Sequence, residues 1–128
     1  LRAVLDEALR WDSPVHVVTR EAKADLTLVG VPIPCGAPII VGIGSANRDE
    51  RQFPDPDRFD PDRPDAEHIA FGFGKHYCAG SRFAYLEATV GLEALFDRLG
   101  TRMRLDPDPD CGIVGVAFRG PNRLPVSF

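Results

Sequence analysis

The segment FGFGKHYCAG, residues Phe71 to Gly80, constrains what this chain can fold into more than any other. Glycine loses more backbone entropy on ordering than other residues, so Gly72 and Gly74 indicate a backbone with positive φ or the close approach of a bulky partner. Cys78 follows them, and no second cysteine has the spacing that a structural zinc site needs. The segment therefore predicts a site with a single thiolate.

The residues after this segment favour a functional role for the thiol over the buried packing role of most lone cysteines. Residues 81–100 have helical apolar spacing in two neighbouring stripes, which predicts a mostly buried helix with Gly100 as its C-terminal cap. The free amides and dipole at its N-terminus would stabilise an anion at Cys78. A glycine-rich loop with an ionised sulfur, an aromatic Phe71 and an anion partner at His76 is what a thiolate-ligated haem requires.

The first third of the chain predicts one helix followed by small strands. Residues 1–11 open directly in a helical pattern, with Pro14 as the stop, and this start is typical of a fragment of something longer. Residues 15–43 are short β-type runs separated by glycine and proline, which predicts small antiparallel strands.

Residues 45–65 leave two interpretations open. The segment is rich in proline and alternating charge, which is typical of a disordered linker, but Phe53 and Phe59 could anchor it as an ordered irregular coil. The tail from residue 111 to residue 128 returns to short strands, with a turn expected at residues 120–122.

Size and charge limit the classes of function. The chain has 128 residues, enough for one domain over residues 1–128, and its net charge of −4 argues against a nucleic-acid partner. The three cysteines are odd in number and far apart, which favours reduced thiols and a cytoplasmic location. No signal peptide or membrane segment is expected, because the longest apolar run is short and contains proline and glycine.

Six residues of the loop match, position for position, the FGxGxHxCxG haem-binding loop of the haem-thiolate monooxygenases: Phe71, Gly72, Gly74, His76, Cys78 and Gly80. By this match the chain resembles the cytochrome P-450 family, and His76 resembles the soluble bacterial class. Three further motifs occur in the family's order. They are ExxR at Glu7 and Arg10, ANRD at residues 46–49, and FxxPxRF at Phe53, Pro56, Arg58 and Phe59.

The resemblance implies an α+β fold, the C-terminal part of the cytochrome P-450 fold. Its expected elements are an N-terminal helix, small antiparallel β-sheets, an irregular meander coil, the cysteine-ligand loop, a long proximal helix and C-terminal β-strands. Cys78 would be the catalytic axial ligand of a heme b iron, and the other five loop residues would surround the cofactor. His76 and Arg20 would contact the haem propionates.

The same resemblance implies a buried ion triad of Glu7, Arg10 and Arg58 that ties the first helix to the coil. The alternative is an exposed helix pair of little energetic weight. Pro14 to Val17 and Ile113 to Gly115 would line the substrate site. Cys35, Cys111, His16 and His68 are expected to be structural.

The implied function is the insertion of oxygen from O2 into a small hydrophobic substrate. Electrons would come from a ferredoxin-type partner docked near Lys75 and Arg82. Family members are several times longer, and no AGxxT pattern of a distal helix occurs here. Two classes therefore stay open. One is the C-terminal portion of an oxygenase, which would be inactive without its missing part and prone to self-association. The other is a truncated, non-enzymatic haem-binding or interaction module.

Overall fold

The computed structural model describes residues 1–64, 67–107 and 110–128, except for the side chain of Thr101. Helix α1 spans Arg2–Trp11. Its last turn is closed by the Asp12 amide, which donates to the Ala8 carbonyl oxygen at 3.0 Å. The helix thus ends shortly before Pro14, where the sequence predicted the stop.

Four short strands follow and form two antiparallel pairs. Strand β1 (Val17–Glu21) pairs with β4 (Pro38–Gly42), and β2 (Leu26–Leu28) pairs with β3 (Val31–Ile33). The predicted small antiparallel strands are confirmed. A one-turn helix α2 (Ile43–Ala46), which the sequence pattern did not predict, leads from β4 into the coil.

The proline-rich coil is an ordered series of turns over residues 47–64. Phe53 is its inner anchor and is only 2% exposed. Phe59 is 44% exposed and packs edge-on against Trp11 with ring centroids 6.2 Å apart. Of the two interpretations left open by the sequence, the ordered coil is confirmed for these residues.

The C-terminal part is a long helix followed by short strand pairs. Helix α3 spans Ser81–Leu99 and continues into a single 3-10 turn, Gly100–Arg102. Strand β5 (Arg104–Leu105) pairs with β8 (Val126–Ser127), and β6 (Ile113–Val114) pairs with β7 (Gly120–Pro121).

The turn expected at residues 120–122 was wrong, because Gly120 and Pro121 are the strand β7 itself. The chain reverses earlier, after Gly115, which has a φ of +96°. A Cβ at Gly115 would overlap the Phe118 carbonyl oxygen. Glycine at this position therefore fixes where the hairpin turns.

The expectation that α3 is mostly buried was also wrong. Ser81 is its buried residue, whereas Phe83 is 69%, Leu86 60% and Val90 54% exposed. Among the described residues, α1 is the helix that packs against α3. The apolar stripe predicted from the sequence exists, but it faces solvent in this structure.

The interior between α1, the strands and the coil is unusually polar. The largest fully buried side chains are Arg10, Glu7, Asn47 and Ser13. The buried apolar residues are few: Ala22, Ile43, Phe53 and Ala70. Within the described ranges, none of the helices combines the length and the apolar character needed to cross a bilayer.

Candidate functional site

The Cys loop, defined as Phe71 to Gly80, is closed by its own backbone. The Cys78 amide donates to the Phe71 carbonyl oxygen at 2.8 Å, and a single 3-10 turn, Gly74–His76, lies between them. Gly72 and Gly74 have φ of +77° and +65°. The sequence prediction of positive φ at these two glycines is confirmed.

Gly72 is the more tightly held of the two glycines. A Cβ there would lie 3.3 Å from the His76 carbonyl oxygen in a backbone conformation that L side chains rarely adopt. We expect Gly72→Ala to destabilise the protein by about 1–2 kcal/mol, since the left-handed backbone disfavours a Cβ. Urea denaturation measures the change.

The matched control is Gly91→Ala, in the middle of α3. Its added Cβ meets nothing within 4 Å. It should stabilise the protein by about 0.5–1 kcal/mol, because alanine loses less entropy in a helix. If both substitutions change the free energy of unfolding in the same direction, the proposed requirement at Gly72 is contradicted.

A cavity of about 310 Å³ lies between the Cys loop, the end of α1, β1 and α2. Most of its wall is apolar, and three side chains bring polar or ionisable groups to it. The apolar residues are Leu9, Pro14, Val15, Val18, Ile43, Ala70 and Phe71, together with Gly72. The three polar ones are Arg20, His76 and Cys78. The structure thus brings together five of the predicted cofactor-binding residues.

Gly74 and Gly80 do not line this cavity. Gly74 shapes the loop through its φ, and Gly80 precedes α3 with an ordinary φ of −86°. A Cβ on Gly80 would lie 3.8 Å from the Cys78 Sγ, which is normal contact. Neither the backbone nor the packing of the described residues explains glycine at position 80.

Cys78 is the thiol that faces the cavity. It is exposed, and α3 begins three residues later. Cys35 and Cys111 lie elsewhere in the fold and are also free. The described residues hold no cluster of three or more metal-ligating side chains.

Arg10 is the centre of a buried ion cluster between α1 and the coil, and its side chain is 0% exposed. It binds both carboxylate oxygens of Glu7, at 2.7 and 2.8 Å. It also donates to the carbonyl oxygens of Asn47, Pro56 and Arg58, at 2.9, 2.9 and 3.2 Å. These contacts use all five N–H groups of a guanidinium. The Glu7–Arg10 pair is therefore buried, and the alternative of an exposed helix pair is wrong.

The third member of the triad was assigned to the wrong arginine. The Arg58 side chain is 69% exposed and pairs with Asp60 at 3.5 Å. Arg63 takes the inner position, 7% exposed, with its Nε 3.6 Å from a Glu7 oxygen. The coil turns the Arg58 carbonyl inward, where it accepts from Arg10 and Arg63, and this leaves the Arg58 side chain on the surface.

The charges of this cluster hold Glu7 ionised. Burial by itself would raise the pKa of Glu7, but the hydrogen bonds from Arg10 and the Asp60 amide and the charges of Arg10 and Arg63 lower it below 4.5. A carboxyl pKa lowered by folding adds stability above the unfolded value, and this stability is lost as the pH falls through the folded pKa.

Asn47, which the sequence analysis did not single out as a site residue, connects this cluster to the Cys loop. Its side chain is 0% exposed; the amide donates to the Ser13 Oγ at 2.8 Å and the oxygen accepts from the Ile69 amide at 2.8 Å. Ile69 lies two residues before Phe71. The ANRD motif that contains Asn47 was the available signal, but its spacing does not show which contacts the amide makes.

The model of the cytochrome P-450 family matches residues 1–117 of this chain. The chain belongs to the cytochrome P-450 family. The α+β arrangement of helix, small sheets, meander coil, Cys loop, proximal helix and C-terminal strands is therefore the C-terminal part of the P-450 fold, as predicted.

Bacterial P-450 enzymes are similar in sequence. The mycinamicin IV hydroxylase/epoxidase of Micromonospora griseorubida is 42% identical over 97% of this chain and 32% of its own length. The 6-deoxyerythronolide B hydroxylase of Saccharopolyspora erythraea is 40% identical over 95% of this chain and 30% of its own length. The chain thus spans about a third of the length of these relatives.

Solved P-450 structures have the same fold. Substrate-free CYP109E1 from Bacillus megaterium has a TM-score of 0.92 and 35% identity, covering 98% of this chain and 33% of that one. Membership in this family implies a haem cofactor. The cavity fits such a group in kind, because it combines apolar walls for a flat macrocycle, one thiol for the iron and two basic side chains for acidic substituents.

Proposed function

We propose that these residues form the thiolate side of the haem site of a monooxygenase, which inserts oxygen from O2 into a small hydrophobic substrate. The observation that carries the proposal is the apolar cavity at which Cys78, His76 and Arg20 meet. Two similar proteins are named as hydroxylases, which supports the reaction class.

Cys78 would hold the iron of a heme b through its sulfur. Cys78 lines the cavity three residues before the start of α3, and most of the remaining lining is apolar. When bound, haem supplies the activation of O2, and the thiolate adds electron density that favours O–O cleavage. The protein's part in this chemistry is to hold the sulfur in place.

His76 and Arg20 are the proposed contacts of the haem propionates. His76 approaches the cavity from the Cys loop and Arg20 from β1, although the two residues are 56 positions apart in the sequence. The Arg20 guanidinium donates to the neighbouring Thr19 carbonyl at 2.8 Å, which holds it near the strand. Two donors on separate elements would fix the rotation of the macrocycle as well as its depth.

The partners of the site are part of the same proposal. Lys75 and Arg82 are exposed beside Cys78, where an acidic ferredoxin-type donor would approach. Residues 14–16 pair with residues 117–119 through the His16 and Arg119 amides, both at 2.8 Å, and Pro14 and Val15 reach the cavity. This pairing supports the 14–17 segment as part of a substrate wall. Three free cysteines fit a cytoplasmic location.

Replacing Cys78 tests the proposal. Haem is added to the protein, which is then reduced and treated with carbon monoxide. We expect Cys78→Ser to abolish the red-shifted carbonyl band of thiolate ligation, because serine offers no soft anionic sulfur. The absorption spectrum is the measurement.

Cys35→Ser and Cys111→Ser are the matched controls, since both thiols lie outside the cavity. They should leave the band unchanged. A thiolate-type band that survives in Cys78→Ser, or disappears in either control, would remove the assignment of Cys78.

A further inference from the structure

Three titratable side chains from three parts of the chain meet beside the Cys loop, outside the cavity. Tyr85 of α3 donates its hydroxyl to the carboxylate of Asp6 on α1. The same hydroxyl lies 3.1 Å from the Nε2 of His68, which precedes the loop. We call Asp6, His68 and Tyr85 the clasp. The sequence analysis left His68 as structural and did not single out the other two.

The clasp is connected to Cys78 through Phe71. The Phe71 ring packs against Tyr85 with centroids 5.2 Å apart and against His68 at 6.2 Å. The Phe71 carbonyl accepts the hydrogen bond of the Cys78 amide. The residue that anchors the Cys78 backbone is therefore held by both sides of the clasp.

The hydrogen bonds of the clasp assign its protons. The Ala70 amide donates to the Nδ1 of His68 at 3.2 Å, so this nitrogen carries no proton. The proton of the neutral ring lies on Nε2, which donates to the Tyr85 hydroxyl, and Tyr85 donates to Asp6. A second proton on His68 would set an N–H against the Ala70 amide and leave that buried amide without its acceptor.

We propose that His68 and Tyr85 are positioning residues that close the base of the Cys loop and set the place of Cys78, and that protonation of His68 opens the loop. The proposal concerns the conformation of the chain itself and does not require haem to be bound.

The charges that face His68 act in opposite directions. Asp6 on α1 lies 3.7 Å from Nε2 and favours the protonated ring, whereas Arg2 on the same helix opposes it. Tyr85 faces it from α3, and burial raises the pKa of this phenol, as does its bond to Asp6. Glu67 lies on the same segment, at the edge of the neighbouring cleft.

Burial is the largest influence on His68 and keeps its pKa below the ordinary 6.5. A histidine pKa lowered by folding means that the unfolded chain binds more protons in the window between the two values. The contribution to stability is therefore complete above the unfolded value and is lost as the pH falls through the folded pKa. Opening of the loop is expected on the acid side of neutrality.

Amide hydrogen exchange over the Cys loop tests the proposal in the intact polypeptide that carries these residues. Rates are corrected for the intrinsic effect of pH and read for Ala70 and Cys78 between about pH 5 and pH 8. The wild type should show a loss of protection on acidification. No such loss in the wild type would overturn the proposal without any variant.

Two substitutions separate the roles of the clasp. His68→Gln keeps an amide donor toward Tyr85 but does not titrate, so the loss of amide protection on acidification should vanish. Tyr85→Phe keeps the ring that packs on Phe71 and removes the hydroxyl, so exchange of the Cys78 amide should be about five-fold faster at neutral pH, as for the loss of one hydrogen bond.

Tyr77→Phe is the matched control, because Tyr77 also packs against Phe71 but is 53% exposed. It should leave exchange at Cys78 unchanged. Equal effects of Tyr85→Phe and Tyr77→Phe, or an acid step that persists in His68→Gln, would overturn the proposal. In haem-loaded wild-type protein, acidification should also weaken the thiolate carbonyl band, and His68→Gln should remove this pH dependence. If the proposed haem site is wrong, the carbonyl band would depart from this expectation, whereas the amide exchange would not.

Discussion

Replacing Arg10 by alanine is expected to destabilise the protein by about 3–5 kcal/mol, because it leaves a buried carboxylate without its partner. Glu7 is 1% exposed and, among the described residues, would keep the Asp60 amide and the more distant Arg63 Nε. The carbonyl oxygens of Asn47, Pro56 and Arg58 would also lose their donor. Urea denaturation measures the loss, and proteolysis between residues 47 and 63 reports whether the coil is released.

Arg58→Ala is the matched control in the same coil. Its side chain is 69% exposed and makes a surface pair with Asp60, and such pairs contribute about 0–1 kcal/mol. The loss of stability in Arg63→Ala should fall between those of Arg10→Ala and Arg58→Ala, since Arg63 is buried but 3.6 Å from Glu7. A larger loss in Arg58→Ala than in Arg63→Ala would restore the assignment made from the motif.

Residues 1–128 by themselves are expected to consume electrons without hydroxylating a substrate, even when they bind haem. The groups described here are the proposed thiolate side of a haem site, and the cavity of about 310 Å³ is at the small end for a ligand site, so much of a porphyrin would stand in water. Solvent exclusion is what protects reactive oxygen chemistry from side reactions. The electrons consumed should therefore reduce O2 to hydrogen peroxide.

The measurement supplies haem, a reduced ferredoxin system and a panel of fatty-acid, terpene and steroid substrates. Electron consumption, peroxide and oxidised product are followed together, with Cys78→Ser as the control for unspecific haem. Product in near-stoichiometric amount to electrons would contradict the expectation. No electron consumption at all, with haem bound, would favour the non-enzymatic module.

The Cys loop was predictable because its residues act locally. Positive φ at Gly72 and Gly74 follows from residue type, and the cavity does gather Cys78, His76 and Arg20. The long helix after Gly80 was predictable from its spacing. Its burial was not, because an apolar stripe shows which face can pack and does not show that another element covers it.

Contacts between distant parts of the chain were harder to predict from the sequence. Arg58 and Arg63 lie five positions apart in an irregular coil, and without a regular period the sequence does not show which side chain points inward. The clasp was missed for the same reason, since Asp6, His68 and Tyr85 belong to different segments and share no motif.

The contacts of α1 also determine when the protein can fold during its synthesis. Glu7 and Asp6 find partners 53 and 79 positions later in the chain, at Asp60 and Tyr85. A ribosome that adds about 5–20 residues per second makes Tyr85 roughly 4–16 s after Asp6. A ten-residue helix is too short to be stable alone in water, and α1 gains the stability of these two contacts only after that interval. Helix α1 thus depends for these contacts on residues that are made well after it.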